Sequence, residues 1–145
     1  MRSILKTVNE TTLRHYTKEY EDGHDGSRSQ RKYPNEELSR FLGRNFGDFS
    51  QEHKSSLSIL ETGCGSGGNL WMIAKEGFRA SGLDISSAAL ELAEQRLAEY
   101  GCTAELFKAS MTQIPCPDSS FDVVVDVFSS NCLDTSDGKR FLEEV

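Results

Sequence analysis

The stretch Ile59-Leu60-Glu61-Thr62-Gly63-Cys64-Gly65-Ser66-Gly67-Gly68-Asn69 decides the fold of this 145-residue chain. The apolar run from Leu57 to Glu61 predicts a short strand. The glycines that follow at once predict a tight turn, where a ligand can meet backbone without meeting a Cβ. A helix from about Asn69 to Lys75, ended at Gly77, would aim its free N–H groups at that turn. Strand, glycine loop and helix in this order form the opening unit of an α/β sheet.

Working outward, the alternation continues. Arg79 to Ile85 reads as a second strand. Ser86 or Ser87 caps a helix with the apolar face Leu90, Ala93 and Leu97, stopped by Gly101. Thr103 to Lys108 is a third strand and Phe121 to Phe128 a fourth, whose unbroken Val123, Val124 and Val125 suit burial on both faces of a parallel sheet. Asp134 to Ser136 offer caps for a last helix, Lys139 to Val145. Upstream, Leu13, Tyr16 and Tyr20 share a helical face, and Glu21 to Arg31 reads as a loop. Asn35 caps a helix with Glu36 and Glu37 in its first turn and the stripe Leu38, Phe41, Leu42 and Phe46. The character changes near Gln51 to Ser56, which divides a helical segment, 1–56, from an open, mostly parallel, doubly wound sheet, 57–145.

Composition narrows the classes of function. Sixteen basic against 23 acidic residues give a net charge of -7, a field that repels phosphate backbones and disfavours a nucleic-acid substrate. Arg28, Arg31 and Lys32 are a local basic exception, explained by a solvated loop. No run of about 18 apolar residues is present, so no membrane span is expected, and the N-terminus lacks the apolar stretch of a signal peptide. Cys64, Cys102, Cys116 and Cys132 are scattered without a CxxC pair, and His15, His24 and His53 lie apart from them. Reduced thiols in the cytoplasm, with no metal site, are the expectation.

Gly63, Gly65 and Gly68 satisfy the dinucleotide pattern G-x-G-x-x-G, so the glycines alone do not choose a cofactor. Glu61 bears on the choice: a carboxylate at the strand end sits awkwardly beside a pyrophosphate and pairs well with an ammonium. Its other reading is a solvated strand-end carboxylate. Asp84, 17 positions after Gly67, ends the second strand, where a carboxylate can accept from both hydroxyls of a ribose. It could equally be a cap for the helix after it.

With Glu61, Gly63, Gly65 and Gly67 the chain resembles the class I, Rossmann-like S-adenosylmethionine-dependent methyltransferases, whose first motif is acidic-x-Gly-x-Gly-x-Gly. The resemblance covers Leu57 to Val145. It implies that Glu61, Gly63, Cys64, Gly65, Gly67 and Asn69 line the cofactor, that Asp84 binds the adenosyl ribose, and that Ile85 packs on the adenine. Where many members carry Asp-Met before Leu-Pro, this chain has Ser110-Met111 before Ile114-Pro115, so Ser110 stands at the acidic position and Met111 borders the adenine pocket. The helical segment 1–56 is similar to a lid, from which Tyr16, Tyr20, Arg31 or Tyr33 would reach the cofactor.

The end of the fourth strand faces the methyl group in that family. Asp126 there is either a general base or substrate-orienting group, or a carboxylate bonded to backbone. The Asn/Asp-Pro-Pro-aromatic motif of base amino-methylation is absent around Ser129 to Asn131, and Pro115-Cys116 precedes the strand that it follows in cytosine C5 enzymes. The implied reaction moves a methyl group to oxygen, nitrogen or carbon of a small-molecule acceptor and leaves S-adenosylhomocysteine. A nicotinamide-dependent oxidoreductase and a non-catalytic cofactor-binding fragment are the competing readings. Because family members carry further strands, the chain is expected to be truncated after the fourth strand, leaving an edge open to self-association.

Overall fold

A computed structural model describes Lys18 and residues 31–145. The expected helical face Leu13, Tyr16 and Tyr20 lies outside the described residues, as does the loop of residues 21–30. Asn35 opens α1 (Glu36–Phe46) from extended backbone, its side chain accepting the Leu38 N–H at 3.1 Å, with Glu36 and Glu37 in the first turn. Then follow α2 (Gln51–Ser56), β1 (Ser58–Thr62), α3 (Leu70–Lys75), β2 (Arg79–Asp84), α4 (Ser87–Glu99), β3 (Glu105–Lys108), β4 (Val123–Asp126), a short 3-10 turn (Ser129–Cys132) and α5 (Thr135–Glu144). Among the described residues no helix is long and apolar enough to cross a membrane.

The four strands are parallel in the order β3-β2-β1-β4. Register sets Glu61 between Gly82 and Val125, and Thr62 between Leu83 and Asp126. Glu61, Asp84 and Asp126 therefore share the carboxyl-end edge of three adjacent strands. That edge is where open α/β sheets bind ligands.

Central β1 is buried along its whole length, including the polar Ser58, Glu61 and Thr62 beside Ile59 and Leu60. The valine run of β4 departs from expectation. Only Val125 is buried, while Val123 and Val124 are half-buried. Among the described residues β4 is an edge strand with one ladder neighbour, so its composition overstates its burial. It is also shorter than the apolar run, because the chain leaves the ladder at both ends. Asp122 turns its carboxylate to the Ser58 N–H at 2.7 Å, and Phe128 takes a left-handed φ of 68°.

The stretch near Gln51 to Ser56, expected as a boundary, is itself a helix, capped by Ser50. Leu38 and Leu42 from α1 belong to one buried cluster with Ile59, Leu70, Ile73, Leu97 and Val125. Residues 36–56 thus cover the sheet as part of its own core. Truncating Leu42 or Ile73 to alanine would cost about 2–5 kcal/mol, the range for buried aliphatic side chains. Lys54, 6% exposed, reaches Glu76 at 2.8 Å and so carries its charge into the layer between α2 and α3. α4 is capped by Ser86 and buries Ala89, Ala93 and Leu97, with Leu90 only half-buried.

Candidate functional site

The loop between β1 and α3 holds Gly63, Gly65 and Gly67 at φ of 63°, 53° and 77°. Neighbouring groups explain why two of the loop's glycines carry no side chain. A Cβ on Gly63 would collide with the Ser129 side chain, which arrives from beyond β4 and donates its hydroxyl to the Thr62 carbonyl at 2.8 Å. A Cβ on Gly68 would lie 2.5 Å from the Arg31 carbonyl oxygen. The Arg31 approach shows that Gly68 serves the chain segment crossing it, a role the G-x-G-x-x-G spacing does not disclose.

Glu61 is 2% exposed. Its Oε1 accepts from Asn69 Nδ2 at 2.6 Å, whereas Oε2 is buried without a partner among the described residues. Burial pushes its carboxyl up from 4.5 to about 8. The Asn69 hydrogen bond opposes the rise, Asp84 and Asp126 add to it, and Arg31 opposes it again. The solvated alternative for Glu61 is therefore overturned.

Asp84 joins the loop to the end of β2. Its Oδ2 accepts the Gly65 N–H at 2.9 Å and its Oδ1 the Ser86 N–H at 2.9 Å. Burial raises its carboxyl above the usual range, and the backbone donors at Ser86, Gly65 and Ile85 pull it down. Asp84 thus ties the glycine loop to the turn that precedes α4, and it is not the helix cap. The α4 cap itself is Ser86, whose side chain accepts from Ala89.

Cys64 turns its side chain into the core, 5% exposed, against the Gly82 backbone. Burial, with Glu61 and Asp84 nearby, holds the thiol well above its ordinary value. Only the backbone of Cys64 is left to meet a ligand. Met111 brings its Cε beside the glycine loop at Gly63, and Ile85 is half-buried at the end of β2. Ser110 shares a 2.8 Å hydrogen bond with the Thr112 hydroxyl and accepts the Thr112 N–H, so it shapes the turn after β3. Tyr33 is 75% exposed.

Asp126 is heavily engaged. It accepts from Thr62 Oγ1 at 3.1 Å, from the Ser129 hydroxyl, from the Ser130 N–H at 3.1 and 3.2 Å, and from Ser130 Oγ at 2.6 Å. The Ser129 and Ser130 hydroxyls hold this carboxylate, and in exchange it ties down the turn after β4. Phe128 stands at that turn, 63% exposed, with the Arg31 guanidinium 5.6 Å from its ring centroid.

The segment 31–35 was expected to contribute side chains, and besides the Arg31 guanidinium its backbone makes contacts with the loop and the helices around it. Arg96 donates to the Arg31 carbonyl at 2.5 Å and to Ser66 Oγ at 3.0 Å. Trp71 Nε1 donates to the Lys32 carbonyl at 3.2 Å, and the Asn35 N–H donates to Asn69 Oδ1 at 2.7 Å. Arg96, Ser129 and Asn35 are the participants missed by motif reading. Asn69 stands at a helix start but makes no capping hydrogen bond there, which the sequence does not disclose.

Among the described residues, no group of three or more His, Cys, Asp or Glu side chains could hold a metal ion.

A parallel sheet with a glycine loop and carboxylates on adjacent strand ends defines an open α/β domain that takes its ligand at those ends. The family model described as "Methyltransferase domain" matches residues 59–145, and the chain belongs to that family. It is 33% identical over 98 residues to the phthiotriol/phenolphthiotriol dimycocerosates methyltransferase of Mycobacterium leprae, covering 66% of this chain and 35% of that protein. A solved S-adenosylmethionine-dependent methyltransferase of Methanosarcina mazei is 32% identical, with a TM-score of 0.56 over 61% of this chain and 45% of the other. A structure from work on the conversion of a disulfide bond into a thioacetal group during echinomycin biosynthesis shares the fold at a TM-score of 0.73 and 17% identity, covering 92% and 54%. The chain spans about a quarter to a third of the length of the curated relatives it matches.

Proposed function

We propose that this chain binds S-adenosylmethionine and serves methyl transfer to oxygen, nitrogen or carbon of a small-molecule acceptor. The observation that carries the reading is the buried, unpartnered Oε2 of Glu61 beside the glycine loop. A buried carboxylate oxygen without a donor is costly, and a cationic donor relieves it. The cofactor's ammonium is such a donor. A dinucleotide's pyrophosphate is not, which weighs against the oxidoreductase reading together with family membership.

The residues present fit this group. Glu61 binds the ammonium, and Asp84 accepts from the ribose hydroxyls with the lone pairs its backbone donors leave open. The backbone of Gly63, Cys64, Gly65 and Gly67 forms the cradle, with Asn69 behind it. Ile85 and Met111 wall the adenine, and Ser110 offers it a hydroxyl. When bound, the cofactor supplies a methyl group on a sulfonium, an electrophile with its leaving group attached. The chain's task is then alignment and exclusion of water. We assign Asp126 to holding the Ser129–Ser130 turn, because both its oxygens are occupied, and not to proton abstraction. Tyr33 and Phe128 stand exposed beside this region and are assigned to the acceptor side.

The named activity of the M. leprae relative, on phthiotriol and phenolphthiotriol dimycocerosates, supports a small-molecule acceptor. The scattered spacing of the four cysteines, without a CxxC pair, is the ground for assigning the chain to the cytoplasm. The test is transfer of a labelled methyl group from S-adenosylmethionine to a panel of hydroxyl, amine and activated-carbon acceptors. Label in a small-molecule product supports the reading. Binding without transfer to any acceptor returns the chain to the non-catalytic reading.

A further inference from the structure

Asn69 begins α3, yet its side chain caps nothing there. The residues opening α1, α2, α4 and α5, namely Asn35, Ser50, Ser86 and Asp134, all spend a side-chain oxygen on their own helix. A cap is worth about 1 kcal/mol, so its absence at Asn69 implies a competing use for the amide. Both ends of that amide are taken. Oδ1 accepts the Asn35 N–H at 2.7 Å, and Nδ2 donates to Glu61 Oε1 at 2.6 Å. A backbone N–H can only donate, so the atom facing Asn35 is the oxygen and the atom facing Glu61 is the nitrogen. Asn69 is 6% exposed.

The segment 31–35 thus reaches Glu61 Oε1 by hydrogen bonds through one side chain, Asn69, besides the charge of Arg31. It lies over Gly68 at the Arg31 carbonyl and is tied to α3 and α4 by Trp71 and Arg96. We propose that Asn69 is a positioning residue whose amide, oriented by the Asn35 N–H, holds Glu61 for the cofactor's ammonium and couples docking of segment 31–35 to the charge on Glu61. This rests on the cofactor reading above. The other groups acting on Glu61 are Asp84 from β2, Asp126 from β4 and Arg31 from the crossing segment. Buried Cys64 lies in the loop itself. None of these takes Oε1.

The consequence is readable in a pH profile. Binding the ammonium needs the Glu61 carboxylate, so affinity for S-adenosylhomocysteine rises with pH until Glu61 is ionised in the free protein, near pH 8. Losing the Asn69 donor favours the protonated form and moves that inflection upward. A purely structural loss lowers affinity equally at all pH values.

The experiment is calorimetric titration of the chain with S-adenosylhomocysteine from pH 6 to 9 for wild type, Asn69→Leu, Asn35→Pro and Asn35→Ala. Proline removes the N–H that orients Asn69 and tolerates the φ of -66° at this position. Alanine keeps that N–H and loses only the α1 cap. Asn69→Leu is expected to raise the inflection by about one pH unit and weaken binding about tenfold at pH 7. Asn35→Pro should move the inflection the same way, and Asn35→Ala should lower the melting temperature without moving it. If Asn69→Leu fails to fold, the Asn35 pair decides alone. Identical inflections in Asn35→Pro and Asn35→Ala overturn the proposal. A wild-type chain that binds no S-adenosylhomocysteine overturns the cofactor reading instead.

Discussion

Replacing Glu61 by glutamine keeps the side chain's shape and removes its ability to ionise, so the variant isolates what burying this carboxyl does to the fold. Glu61 is 2% exposed, and its carboxyl is pushed from 4.5 to about 8, chiefly by burial. A folded-state value above the unfolded one means the folded chain binds a proton more tightly. The stability this contributes is fully present below pH 4.5 and is lost as pH rises toward 8. Each pH unit inside that window corresponds to about 1.4 kcal/mol. Wild type should therefore lose about 2–3 kcal/mol from this group between pH 5 and pH 7, and Glu61→Gln should not. The glutamine amide keeps a partner in Asn69 but brings an N–H to the position of Oε2, an offset of about 1–3 kcal/mol that shifts the whole curve and leaves its slope alone. The assay is urea unfolding at half-unit steps from pH 5 to 8, comparing the difference between the two chains. The difference should change steadily by roughly 3 kcal/mol in favour of glutamine as pH rises across the window. The same variant should bind S-adenosylhomocysteine at least tenfold more weakly, a loss of function alongside relief of a buried charge. Parallel stability curves would show that Glu61 is solvated or paired, and the reasoning from its orphaned oxygen would fall.

Three further outcomes are expected. Gly65→Val should abolish S-adenosylhomocysteine binding while far-UV circular dichroism keeps its helical signal, because a β-branched residue is strained at φ 53° and fills the cradle; unchanged affinity would mean the loop is misassigned. Asp84→Ala should weaken that ligand by about 1.5–3 kcal/mol and leave methionine, which has no ribose, indifferent; equal losses in titrations of both would mean Asp84 acts through stability. The open edge of β4 should make this chain self-associate, and Val124→Lys should shift sedimentation toward monomer, because charge on an edge strand blocks further pairing. A wild-type chain that sediments as monomer would remove the edge from consideration.

Much of the frame is legible from local chemistry. Asn35 and Ser86 cap the helices that their position before an apolar period implies, and the β1–glycine–α3 order follows from Leu57 to Lys75. Glu61 and Asp84 fall at the strand ends that their spacing gives. What escaped depends on contacts far apart in sequence. The half-burial of Val123 and Val124 reflects the order of strands, which composition does not carry. The bonds of Asp126 run to Thr62 and Ser129, so its availability as a base could not be judged from its place after three valines. Cys64 looks like a loop residue and is a core residue, because the turn rolls its side chain toward Gly82. Segment 31–35 contributes carbonyls and an N–H, and backbone groups leave no signature in residue identity.

Competitive calorimetry of the chain with S-adenosylhomocysteine and with NAD tests the central claim most directly. The account predicts saturable binding of S-adenosylhomocysteine, proton release that grows as pH falls below 8, and no measurable heat from NAD. Binding of NAD with S-adenosylhomocysteine inert would contradict it. Binding of S-adenosylhomocysteine that survives Glu61→Gln unchanged would contradict the assignment of the buried carboxylate.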